Sequence, residues 1–222
     1  MEKALLIILD GLGLGQDSDS NAFKVADTPV LDNLMKEYPN TKLYASGEEV
    51  GLPKGQIGNS EVGHLNIGAG RIVYQDLTRI NKDIETEDFF ENQAINEAID
   101  SAKEKGKNLH LIGLVSKGGV HSSFEHLQAL IKLAKKKNFE NLYIHAFLDG
   151  RDVLPKSAYD DIEELELILK ENTGTLSTII GRYYAMDRDK RWERVERAYD
   201  AMVNRVGLKE NSLQAIKSYY DQ

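Results

Sequence analysis

The segment Gly58-Asn59-Ser60-Glu61-Val62-Gly63-His64 places a serine where a glycine-rich loop can turn into a short helix. A serine there faces free backbone N–H groups, which together with the helix dipole favour a bound anion. Taken alone, the heptapeptide is explained first by a serine that caps the helix. It is not the nucleophile elbow of the α/β-hydrolases, because that turn needs glycine where Val62 stands. His64 and Asn66 have no partner at metal-chelating spacing and read as structural residues. Asp10 closes an apolar run and precedes Gly11. A carboxylate beyond a strand end suits a metal or phosphate site, and equally a turn or a helix cap. Gly11-x-Gly13-x-Gly15 lacks the spacing of a dinucleotide loop, and Asp10 would repel a pyrophosphate without a cation between them.

Three further apolar runs end alike. Val115 leads into Ser-Lys-Gly-Gly-Val-His121, Leu148 into Asp-Gly-Arg151-Asp152, and Ile180 into Gly-Arg182-Tyr-Tyr-Ala-Met-Asp-Arg188. Ligands of open α/β sheets bind beyond the carboxyl ends of the strands. The pattern therefore predicts that His121, Arg151, Asp152, Arg182 and Arg188 converge. Guanidinium forks match the oxygens of carboxylates and phosphates. One such arginine serves a cap or a surface pair as well as a ligand; three at equivalent strand ends favour an anion clamp.

The elements that must hold these residues alternate. Residues 4–9 read as a buried strand, short, Ile/Leu-rich and followed by glycine turns. Thr28 and Pro29 open a helix with Val30, Leu31, Leu34 and Met35 on one stripe, and Pro39 closes it. Residues 41–45 read as a short strand. From 47 to 70 the chain is glycine-rich with almost no period, a length of loop that is usually functional. A helix carrying Phe89, Ile95, Ile99 and Ala102 ends near Gly106. Strands at 109–115, 142–148 and 176–180 then alternate with helices at 124–137, 158–170 and 189–205. In the first of these, Lys132, Lys135, Lys136 and Lys137 face solvent. The alternation predicts an α/β fold with a mainly parallel sheet.

Composition narrows the function. The chain has 222 residues, 28 basic against 36 acidic, for a formal charge of −8. That balance argues against a general nucleic-acid coat, which needs a basic face. No cysteine is present, so disulfides, thiolate ligands and a cysteine nucleophile are excluded. No stretch approaches the ~20 apolar residues of a membrane span.

Taken together, the run Ile7-Ile8-Leu9-Asp10-Gly11, the long segment from Gly51 through Gly58-Asn59-Ser60-Glu61-Val62-Gly63-His64 to Arg71, Gly118-Gly119-Val120-His121-Ser122, Phe147-Leu148-Asp149-Gly150-Arg151-Asp152 and Gly181-Arg182-Tyr183-Tyr184-x-Met186-Asp187-Arg188 closely resemble the cofactor-independent phosphoglycerate mutases, in order and at matching spacing. The resemblance implies an alkaline-phosphatase-like metal domain, of which residues 1–73 are the first piece. It makes residues 74–222 most of the first part of an inserted α/β domain that binds phosphoglycerate. It implies a cytoplasmic isomerase of glycolysis and gluconeogenesis, monomeric when intact, that interconverts 3-phosphoglycerate and 2-phosphoglycerate. The partner is that small molecule, not nucleic acid or membrane. Two divalent metal ions, typically manganese, are implied, and no bisphosphoglycerate. By residue match, Ser60 is the phosphoryl acceptor and a metal ligand, and Asp10 binds the same metal. His121, Arg151, Asp152, Arg182 and Arg188 line the substrate site, with Asp152 as acid and base.

The chain departs from that family in stopping at Gln222. The family's remaining metal ligands, further arginines and a lysine have no counterpart here, so the chain reads as a fragment, inactive alone. Two alternatives stay open: a phosphohydrolase or phosphopentomutase with the same metal core, and a fragment that only binds a phosphorylated acid.

Overall fold

The computed structural model describes residues 3–221. They form two compact units, the first ending at Thr78 and the second beginning at Arg79.

In the first unit, α1 (Ala22–Val25) is a single turn and α2 (Pro29–Glu37) starts on its proline. Thr28 occupies the cap position of α2 but makes no side-chain cap bond; its hydroxyl donates to Asp32 Oδ1 instead. The expected apolar stripe of α2 is largely uncovered, with Val30 72% exposed. The expected strands at 4–9 and 41–45 are absent, and Leu5 and Leu43 are 85% and 89% exposed. The reason is that a strand is a pairing: an apolar run becomes one only beside a ladder partner, and the described residues offer none outside the second unit's sheet.

The glycine-rich stretch corrects the opposite error. It holds a 3₁₀ turn, Gly47–Val50, and a full α3 (Ser60–Ala69). This helix survives its internal glycines because both ends are closed. Asn59 Oδ1 accepts from the Val62 amide, and Gly70 takes the left-handed conformation whose N–H returns to Asn66 O. Val62 packs with Val50 and Leu52 in a small buried cluster. Asn66 is structural as expected: its Nδ2 donates to Val50 O and its Oδ1 accepts from the Val73 amide.

The amphipathic α4 (Asp76–Glu85) follows, unforeseen in the sequence. The expected helix around Ile95 is a 3₁₀ turn, Asp88–Glu91, then α5 (Gln93–Glu104), capped by Asn92. The second unit is built on β1 (Leu109–Val115), β2 (Leu142–Leu148) and β3 (Thr175–Gly181), all parallel in the order β1-β2-β3. Val115 pairs with Leu148 and Leu148 with Gly181, so the three strands end level. The register of β3 jumps at Ser177, from Ile144 opposite Leu176 to His145 opposite Thr178, which is a bulge.

The two crossovers between these parallel strands carry α6 (Phe124–Lys136) and α7 (Ala158–Glu171), which pack into one shared core on the sheet. There Leu142, Ile144 and Ala146 share a core with Ile131, Ala134, Ile162 and Leu165. Each fully buried aliphatic side chain contributes about 1.5–3 kcal/mol to this packing. Lys137, expected in solvent, instead donates to Asn96 and Asp100 on α5, at 2.9 and 2.8 Å. After β3 comes the single turn α8 (Arg182–Ala185). The helix expected over 189–205 is shorter, α9 (Trp192–Tyr199), and runs on into a wide π-type turn, Asp200–Asn204. An Asn211 cap then starts α10 (Ser212–Tyr220), whose Ile216 joins the core. No helix among the described residues is long and apolar enough to cross a membrane.

Candidate active site

In the first unit the structure brings Asp10 and Ser60 together across fifty residues of chain: Ser60 Oγ donates to Asp10 Oδ2 at 2.6 Å. Ser60 is not the cap of α3. Asn59 holds that position, which leaves the Ser60 hydroxyl free of the helix backbone. His64 Nδ1 lies 2.9 Å from Ser60 O and 3.3 Å from Ser60 Oγ, one turn along the helix. The loop before the serine is tightly held. A Cβ on Gly58 would lie 1.7 Å from the Ala45 carbonyl oxygen, so only glycine lets the two backbones approach here. The donor pair consists of a carboxylate and a hydroxyl, hard oxygens that suit a divalent cation such as Mg²⁺ or Mn²⁺. Among the described residues no group of three or more His, Cys, Asp and Glu could hold an ion, so Asp10 and Ser60 are at most part of a ligand set.

In the second unit, His121, Arg151, Asp152, Arg182 and Arg188 all line one open cleft of about 1750 Å³ beyond the strand ends. Arg182 Nη1 donates to Asp152 Oδ2 at 2.6 Å and to Asp149 Oδ1 at 2.8 Å. These two bonds raise the Arg182 pKa above its ordinary value, Asp152 contributing more than Asp149. His121 Nε2 lies 3.7 Å from Asp152 Oδ2. Arg188 is exposed at the rim, on a loop shaped by Asp187. Asp187 Oδ2 accepts from the amides of Asp189 and Arg191, and its Oδ1 accepts from Arg194, whose guanidinium lies 3.9 Å from the Tyr183 ring centre.

Asp149 is the residue that the sequence pattern passed over. Its side chain is fully buried. Burial alone would raise its pKa, but hydrogen bonds from Ser116, from the Arg151 amide, from Arg182 and from the Gly150 amide outweigh it. They hold the carboxyl well below the usual carboxylate range, so it is ionised. The available signal was an acidic residue directly after a buried strand and directly before glycine.

The same cleft continues over the sheet face opposite the helices, where a polar row crosses three strands. His110 Nδ1 lies 2.9 Å from His145 Nε2, and His145 Nδ1 lies 2.9 Å from Thr178 Oγ1. Burial, then the neighbouring His110, pushes the His145 pKa down.

A parallel sheet with its polar residues gathered past the strand ends defines an α/β protein with an anion-suited cleft. Residues 80–222 match the family model described as the N-terminus of BPG-independent PGAM, and the chain belongs to that family, the BPG-independent phosphoglycerate mutases. The 2,3-bisphosphoglycerate-independent phosphoglycerate mutase of Clostridium botulinum (strain Langeland) is 59% identical over 223 residues, covering 99% of this chain and 44% of the relative. The enzyme of the same name from Clostridioides difficile is 57% identical over 218 residues, covering 97% and 42%. A crystal structure of Leishmania mexicana phosphoglycerate mutase at low cobalt concentration superposes with a TM-score of 0.68 at 32% identity, covering 96% of this chain and 41% of that one. The chain thus spans less than half the length of the relatives it matches.

Proposed function

We propose that this chain is the N-terminal part of a metal-dependent phosphoglycerate mutase, a cytoplasmic enzyme that interconverts 3-phosphoglycerate and 2-phosphoglycerate without bisphosphoglycerate. The observation that carries the proposal is the 2.6 Å bond between Ser60 and Asp10, two residues fifty positions apart, in a chain of this family. The first unit corresponds to the start of the phosphatase-like domain, and the second to the inserted substrate-binding domain.

Asp10 and Ser60 would hold one divalent ion, manganese by the family resemblance, together with ligands outside this chain. Such an ion supplies a lowered hydroxyl pKa and a counter-charge for phosphoryl oxygens. The chain's own residues do the rest. Asp10 orients the Ser60 hydroxyl. Ser60 Oγ passes its proton to Asp10 Oδ2 along their hydrogen bond and forms a bond to phosphorus as the bond from phosphorus to the glycerate oxygen breaks, and that oxygen takes a proton from the protonated Asp152 carboxyl. Arg151, Arg182 and Arg188 hold the glycerate by its carboxylate. Its other hydroxyl then returns a proton to Asp152 and takes the phosphoryl group from Ser60, whose oxygen recovers its proton from Asp10. Little covalent assistance is needed; positioning and charge do most of the work.

The test uses the full-length enzyme that carries this segment. Ser60→Ala should abolish both mutase turnover and release of inorganic phosphate, because no covalent acceptor remains. Arg151→Ala and Arg188→Ala should each lower turnover efficiency about tenfold to a hundredfold, the effect of one charged hydrogen bond. They should also raise the ratio of inorganic phosphate to 2-phosphoglycerate, as glycerate escapes before retransfer. Near-normal mutase activity in Ser60→Ala ends the phosphoserine mechanism. An unchanged ratio in both arginine variants means that they do not retain the intermediate.

A further inference from the structure

We propose that Asp149 is the positioning residue of the anion clamp: a buried carboxylate that touches no ligand and sets the three strand-end loops in register with one another. The inference rests on the proposed function only for the identity of the ligand. Because Val115, Leu148 and Gly181 are cross-strand neighbours, the next residues, Ser116, Asp149 and Arg182, stand in one row. Asp149 closes that row. Its Oδ2 accepts from Ser116 Oγ at 2.6 Å, and Ser116 Oγ in turn accepts from the Gly118 amide, which fixes the loop leading to His121. Its Oδ1 accepts from the amides of Gly150, Arg151 and Asp152 at 2.8, 3.0 and 3.2 Å, which fixes the loop that presents Arg151 and Asp152. The same Oδ1 accepts from Arg182 at 2.8 Å, which fixes the start of the third loop.

Five donors more than fill the roughly four lone-pair sites of a carboxylate. Asp149 therefore has no acceptor left for a substrate hydroxyl: both it and Asp152 border the cleft, but the Asp149 side chain is fully buried and that of Asp152 is partly exposed. Both bonds from Arg182 to these carboxylates leave through Nη1 and use its two hydrogens, so the remaining donors of the guanidinium are those that a ligand can engage. Asp149 thus acts on the ligand through Arg151, Asp152, Arg182 and His121, and not directly.

The test compares the wild-type 222-residue chain with Asp149→Asn, Arg151→Ala and the double variant. Amide hydrogen exchange without ligand is read first. Asp149→Asn should speed exchange at Gly118, Gly150, Arg151 and Asp152 by about tenfold or more, while Ile144 and Ala146 in β2 stay protected. Binding of 3-phosphoglycerate is then followed by titration. Asp149→Asn should weaken it about tenfold to a hundredfold in the wild-type background and by a clearly smaller factor when Arg151 is already alanine, because the part of its action that runs through Arg151 is then gone. A merely structural role would weaken binding equally in both backgrounds, and that result overturns the inference, as does unchanged exchange at the four loop amides. If the wild-type chain does not bind 3-phosphoglycerate, the exchange pattern alone decides the positioning role, and the ligand is tested in the full-length enzyme. Should Asp149→Asn fail to fold, Ser116→Ala removes the bond to Asp149 together with the Gly118 amide's own acceptor: faster exchange at Gly150 and Arg151 as well as at Gly118 supports the inference, and a change confined to Gly118 overturns it.

Discussion

Two arginines of one cleft carry different loads. Arg182 is mostly buried and bridges two carboxylates, whereas Arg188 stands exposed at the rim. Arg182→Ala leaves the buried Asp149 charge short of its cationic partner and should cost about 3–5 kcal/mol of stability in urea unfolding. Arg188→Ala should stay within about 0.5 kcal/mol of wild type in the same measurement. Equal costs would mean that the Arg182 bridge contributes nothing beyond what a surface charge does. At this scale the sequence was legible wherever residue type and position spoke together: Asp10, Ser60 and the five cleft residues were all nameable before any coordinates. Asp149 was not, although it sits beside two of them. An aspartate's type does not say whether it faces water or an inner row of donors; only the level ends of β1, β2 and β3 do.

The elements of the second unit were readable because their periods are strong. Seven-residue apolar runs alternating with amphipathic helices leave little choice of fold, and the strands at 109–115 and 142–148 fall where the pattern puts them. The core they build is tight, and Leu165→Ala on α7, fully buried, should cost about 2–5 kcal/mol in equilibrium unfolding. The first unit resisted the same method for two reasons. Apolar runs at 4–9 and 41–45 have strand character but no ladder partner among the described residues. Helix α3 owes its existence to caps at Asn59 and Gly70 more than to any apolar stripe. The close approach at Gly58 gives a direct check: Gly58→Ala must push the loop off the Ala45 carbonyl, at about 1–3 kcal/mol, and displace Asn59 from its cap. Retention of the Val62 amide's protection from exchange in that variant would show that the loop absorbs the methyl group.

Over the whole chain, acid should act in two stages. His145 and His126 are both pushed below their ordinary value of 6.5, chiefly by burial. Below that pH the unfolded chain takes up protons that the folded chain refuses, so stability falls as pH drops from about 6.5. Asp149 acts lower down. Its carboxyl is held below the ordinary 3.8, so its contribution is complete above that pH and is lost as pH falls further. Urea midpoints measured from pH 8 to pH 3 should therefore be level above about pH 7 and decline below it. His145→Gln should flatten the decline between about pH 6.5 and pH 5 and leave the acid limb alone. A profile unchanged by that substitution would mean that His145 titrates alike in both states. The two units should also differ in protection. The first has a buried cluster of Val50, Leu52 and Val62, against the larger shared core of the second, so its amides should exchange at lower opening energies.

The bulge at Ser177 bears on how this chain can change length. Leu176 and Ile179 both pack on the core although three positions separate them, because the extra residue between them reverses the alternation of the strand. Losing Ser177 would leave Leu176 opposite Ile144 and Thr178 opposite His145, the pairs that exist already. A single-codon deletion there is thus one the sheet can accept, with Arg182 still level with Asp149. The same deletion inside β2, at Ala146 for example, has no spare residue to draw on. It would turn Phe147 and Leu148 to the wrong faces and pull Asp149 out of its row.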